Sequence, residues 1–126
     1  MLIGIGTDIL RISRIPLECP PENDPLLRSY TAAEQAESCS REVRLTYFAT
    51  RFAGKEAVYK AISGCGKEFR PADIEIVNDT DGRPCVRLLG ETKAAFERYA
   101  GDRYTLFISL SYDTDYAGAF AIAEKL

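Results

Sequence analysis

The sequence predicts an α+β fold in which a mostly antiparallel sheet packs on one long helix. Three observations carry that expectation. An apolar run rich in β-branched residues opens the chain at 2–12, and reads as a buried strand. Residues 41–63 hold a helical period, with Phe48, Phe52, Val58, Tyr59 and Ile62 among the apolar positions, and the helix stops at Gly64-Cys65-Gly66. From residue 73 onward the period shortens to that of strands separated by turn residues.

Between the first strand and the helices, residues 16–25 hold four of the six prolines, so a loop is expected there. Its length points to a functional or interface loop. Thr31-Ala32-Ala33-Glu34 is a capping box and starts a short helix that runs to about Ser38. In the second half, 73–78 and 84–89 read as strands joined by the turn Asp79-Thr80-Asp81-Gly82, and 91–99 as a short helix. Residues 104–111 and 117–123 read as two more strands around Tyr112-Asp113-Thr114-Asp115. With 126 residues, 46% hydrophobic and 28% charged, one domain spanning 1–126 is expected.

Sixteen basic and 19 acidic side chains give a charge of -3, which argues against a nucleic-acid footprint spread over the surface. Cys19, Cys39, Cys65 and Cys85 are scattered and histidine is absent, so neither a zinc cluster nor a haem site is readable. The lack of histidine also removes the commonest general base. No stretch has the length of a membrane span and no secretory leader is readable at the start, so a cytoplasmic protein with reduced thiols is expected.

In the first strand, alternation puts Asp8 on a face with Gly4, Gly6, Leu10 and Ile12. An acid on such a face needs something positive against it, and the two glycines leave room for a ligand or another backbone. The plainer reading is an Asp that caps a neighbouring loop. In the long helix, positions 49, 52, 53, 56, 57 and 60 form one stripe, so Glu56 and Lys60 are expected to face inward. A solvated i,i+4 pair is the alternative there. Taken together, two carboxylates on a strand and a helix with a lysine one turn away suit magnesium and a phosphate-bearing substrate.

Ile3-Gly4-Ile5-Gly6-Thr7-Asp8-Ile9, Phe52-Ala53-Gly54-Lys55-Glu56-Ala57-Val58-Tyr59-Lys60-Ala61 with Arg51 before it, and Ser109-Leu110-Ser111 resemble three signatures of one family. It is the holo-acyl-carrier-protein synthase type of 4'-phosphopantetheinyl transferase, and the order and spacing fit nearly the whole chain. The resemblance implies that family's fold, assembled as a homotrimer with coenzyme A between subunits. It also implies transfer of the phosphopantetheine arm to a serine of an apo acyl carrier protein, releasing adenosine 3',5'-bisphosphate.

By matching position, Asp8 and Glu56 are implied to bind Mg2+, with Lys60 on the leaving phosphate. Arg44, Arg51 and Lys55 are expected at the nucleotide phosphates, and Gly64, Ser109, Ser111 and Tyr112 at coenzyme A. Arg14 and Arg28 are expected to face the acidic carrier. The base is a metal-bound water or one of the carboxylates. Tyr112 stands where the family usually has histidine, and it cannot become cationic near neutral pH. Two alternatives differ in class: a carrier- or nucleotide-binding module without turnover, and a structural trimer whose carboxylates are satisfied internally.

Overall fold

The computed structural model describes residues 1–15, 25–39 and 44–126. Most of the proline-rich loop and the start of the predicted long helix, at 41–43, lie outside them. Pro25 opens a 3-10 turn, Pro25–Ser29.

The first strand, β1 (Leu2–Arg11), gives way to a 3-10 turn at Ile12, one residue before the expected end. The last two strands, β4 (Tyr104–Tyr112) and β5 (Tyr116–Lys125), run slightly beyond their predicted bounds. The three pair antiparallel in the order β1-β5-β4. Ala117, Ala119, Ala121 and Ala123 of the central strand β5 are all buried on one face. Small side chains there let a helix come close.

That helix is α2 (Arg44–Ile62), and β1 comes closest of all. A Cβ added at Gly4 would stand 1.7 Å from the Ala61 carbonyl oxygen, and one at Gly6 1.9 Å from that of Ala57. The space left by the two glycines is therefore filled by the backbone of α2. Ala53, Ala57, Val58 and Ala61 are all buried, and together with the alanines of β5 they form much of the core.

The other side of α2 is buried as well. The strands β2 (Ile74–Asn78) and β3 (Pro84–Leu88) pair in a separate antiparallel sheet, so the five strands form two sheets where one was expected. The turn between them is set by Asp79, whose Oδ1 accepts from the Asp81 and Arg83 amides at 2.8 and 3.0 Å. Gly82 takes φ 83° in that turn, the left-handed region that favours glycine. The short helix α1 (Ala32–Ser38) begins with the predicted capping box: Thr31 Oγ1 accepts from Glu34 N–H at 3.2 Å, and Glu34 Oε1 from Thr31 N–H at 2.8 Å. Helix α3 (Gly90–Ala100) is anchored by Phe96, which is fully buried and meets the Tyr104 ring edge-on at 4.9 Å.

Candidate active site

The free edge of β1 and the adjacent face of α2 bring together Asp8, Glu56 and Lys60. The Asp8 side chain is 13% exposed and receives the Lys60 ammonium on Oδ1 at 3.3 Å. Lys60 also donates to the Thr7 carbonyl at 2.8 Å. The positive group that Asp8 needed is thus Lys60. The expectation that Lys60 faces inward is corrected: its side chain is 51% exposed and lies over the rim, because a four-carbon stem lets the ammonium reach water. Glu56 is half-buried between the two. Burial first, then the Asp8 charge and a hydrogen bond shared with Asp8, hold Glu56 above the ordinary carboxylate range, against the pull of Lys60.

Two carboxylates pressed together on rigid elements, with one exposed cation beside them, form an anionic pair that is incompletely neutralised. That donor set fits a hard divalent ion that takes one or two protein oxygens and keeps water or phosphate oxygens for the rest. Among the described residues no cluster of three or more acidic, Cys or His side chains gathers, so soft or high-coordination protein sites find no match there.

The other expected contacts lie elsewhere. Cross-strand register aligns Asp8 with Ala119 and Leu110, on the face toward α2. Ser109 and Ser111 flank Leu110, so they point to the opposite face of the sheet and are exposed there. Tyr112 is exposed at the end of β4. Gly64 packs on Tyr99, whose hydroxyl would be 2.6 Å from an added Cβ. Arg14 and Arg28 sit exposed in the two 3-10 turns, with no ion pair among the described residues. An open cleft of about 850 Å3 between β3 and β4, lined by Arg83, Arg87, Lys93, Phe107 and Ser109 among others, lies at the edge of the sheet away from Asp8.

The expectation for Lys55 is corrected. It is 0% exposed, and its three ammonium protons go to Glu34 Oε1 (2.8 Å), the Pro71 carbonyl (2.9 Å) and the Ile74 carbonyl. No donor is left for a phosphate. Burial draws its pKa below the ordinary lysine value, opposed by the Glu34 charge. Arg51 is also buried: its Nη2 donates to Glu37 Oε1 at 3.2 Å and Asn78 Oδ1 at 3.0 Å, and its guanidinium lies 4.2 Å from the Tyr47 ring centre. Arg44 donates to Ser38 Oγ at 3.2 Å and packs on Phe48. Sequence reasoning missed Glu34 and Glu37 as partners. The available signal was charge spacing, i,i+3 acids on α1 against i,i+4 cations on α2.

Residues 4–121 match the 4'-phosphopantetheinyl transferase superfamily. The chain belongs to that family. Its relatives include the holo-[acyl-carrier-protein] synthase of Clostridium novyi (strain NT), 38% identical over 124 residues that cover 98% of this chain and 88% of the relative. Among solved structures, the Chronobacterium ammoniagenes ACPS-CoA complex aligns with a TM-score of 0.84 at 28% identity, covering 97% of this chain and 96% of that one. The Mycobacterium tuberculosis acyl carrier protein synthase aligns at 0.74 and 32% identity over 100% of both chains. The resemblance in fold and family read from the sequence is thereby borne out.

Proposed function

We propose that this chain transfers the 4'-phosphopantetheine group of coenzyme A to a serine of an apo acyl carrier protein, with Mg2+ held by Asp8 and Glu56. The observation that carries this reading is the convergence of Asp8, Glu56 and Lys60 at one accessible edge, in a member of this transferase family. Bound there, the ion supplies positive charge to the pyrophosphate of coenzyme A. Lys60, half in water, is free to swing from Asp8 to the leaving phosphate and neutralise the charge that grows on it. The bond from the carrier serine to phosphorus forms as the pyrophosphate bond breaks. The serine proton passes to a carboxylate of the pair, and adenosine 3',5'-bisphosphate leaves. Incubation with coenzyme A, Mg2+ and apo carrier should add one phosphopantetheine mass to the carrier, and EDTA should abolish the shift. A carrier left unmodified by a protein that binds coenzyme A would favour the module without turnover.

We also propose that the site is completed by a second subunit in a homotrimer. Asp8 and the side chains of Ser109 and Ser111 face opposite sides of one sheet, so a single chain does not present both to one coenzyme A. The outward face carries Ile5, Ile9, Phe107 and Phe120, all exposed, with Ile9 at 72%. An apolar face of that kind calls for a covering partner. Ile9→Asp is expected to turn a trimer into monomers by light scattering and to lower coenzyme A affinity at least tenfold. A monomeric parent would overturn this assembly. A cytoplasmic setting is proposed with it.

A further inference from the structure

Helix α1 carries two carboxylates one turn apart, and beyond the capping bond of Glu34 to the Thr31 amide each makes the same pair of connections. Glu34 accepts Lys55 Nζ on Oε1 (2.8 Å) and the Ile76 amide on Oε2 (2.7 Å). Glu37 accepts Arg51 Nη2 on Oε1 (3.2 Å) and the Asn78 amide on Oε2 (2.9 Å). Ile76 and Asn78 are alternate residues of β2, so their amides lie along one edge of the strand. The two acids therefore stand where a further strand would pair, and they tie that edge to α2. The inner pair is wholly buried and fully satisfied, since Glu34 and Lys55 are 0% exposed and the remaining protons of Lys55 go to Pro71 and Ile74.

Lys55 and Glu56 are consecutive, about 100° apart around the helix. Lys55 is pinned to α1 and β2 on one side while Glu56 turns to Asp8 of β1. The glycine contacts of β1 fall on Ala57 and Ala61 and so set how close α2 lies and which face it turns to the sheet. A directed, three-donor anchor on the far side of the helix holds that rotation from a second direction. A buried ion pair is also a poor source of stability compared with an apolar pair of the same volume, so its placement beside Glu56 asks for another account. We infer that Lys55 is a positioning residue: its buried pair with Glu34 holds the rotation of α2 and hence the approach of Glu56 to Asp8. This rests on the Asp8–Glu56 reading above.

The test is the double variant Glu34→Gln/Lys55→Met. Glutamine keeps an oxygen for the Ile76 amide but gives up the Thr31 amide that Glu34 Oε1 accepts at 2.8 Å, so it weakens the cap of α1 as well as the pair, while methionine keeps the length of the side chain. Thr31→Ala, which removes the cap of α1 without touching the pair, is the control for lost stability. Two readouts are taken: the Mg2+ concentration that half-saturates thermal stabilisation in the presence of coenzyme A, and carrier-transfer kinetics. The double variant is expected to raise the Mg2+ requirement and lower kcat, each about tenfold, with KM for coenzyme A within about twofold of the parent. Thr31→Ala should move neither. If the double variant does not fold, Glu34→Gln alone carries the same expectation below its melting transition. A tenfold rise in KM with kcat retained would make Lys55 a phosphate contact, and an unchanged Mg2+ requirement and kcat would make the pair a matter of stability alone. Either result overturns the inference, as does an equal shift in Thr31→Ala. A parent that shows no Mg2+-dependent stabilisation with coenzyme A overturns the Asp8–Glu56 site itself, a separable failure.

Discussion

Asp8→Ala is expected to lower carrier modification by about 10²–10³-fold, the loss typical of removing one group that stabilises transition-state charge. The protein should remain folded. Asp8 sits on a strand fixed by nine residues of register with β5 and by the backbone of α2, and its own side chain contributes a partly exposed pair with Lys60 beside the hydrogen bond it shares with Glu56. Such pairs contribute about 0–1 kcal/mol. Its removal also relieves the carboxylate crowding that, after burial, holds the Glu56 pKa up. Thermal stability without metal should therefore hold or rise while activity collapses, the pattern of a site whose charges serve chemistry at the expense of the fold. Mass spectrometry of the carrier across a Mg2+ series, beside a melting curve, reads both. Parent-like modification by Asp8→Ala at every Mg2+ concentration would remove Asp8 from the site.

Gly6→Ala is the second large effect, and it acts on the fold. The added methyl would stand 1.9 Å from the Ala57 carbonyl oxygen and 2.9 Å from the Ala61 nitrogen, all backbone that cannot turn aside. Either β1 lifts from α2 or the helix shifts along its length. We expect a loss of about 3 kcal/mol or more, at or above the usual range for overpacking, measured as a lowered urea midpoint. Gly118→Ala is the matched control. Within the chain its methyl meets only Ser111 Oγ at 3.6 Å and the Asp8 carbonyl at 3.8 Å, ordinary contacts, so the stability of the single subunit should change by less than about 1 kcal/mol. Equal effects at the two positions would show that the β1–α2 contact is softer than its geometry implies.

The elements were legible because their signals are local: the capping box, the turn at Asp79–Gly82 and the change of period each involve neighbours in the chain. Even the glycines beside Asp8 announced a close approach, though not what approaches. What a single sequence does not carry is how many elements surround a helix. The family resemblance put Arg51 and Lys55 at the nucleotide phosphates, and a single buried stripe on α2 gave no sign of acids waiting for them inside the fold. With a three-stranded sheet on one side and α1 with β2 on the other, the same side chains are interior cations with interior acids. The division of five strands into two sheets is hidden for a like reason, since it depends on which edges meet.

Lys60 has a second consequence, for handling the protein and for interpreting its variants. β1 is the outermost strand of its sheet, long and apolar on its outward face, and an unpaired edge of that kind invites another strand to add to it. By occupying the Thr7 carbonyl, the Lys60 ammonium spoils that edge as a template. A Lys60→Ala protein would lose its guard against strand-to-strand aggregation together with its chemistry. Lys60→Arg, which keeps a donor over the strand edge, separates a true loss of turnover from a loss of monodisperse material.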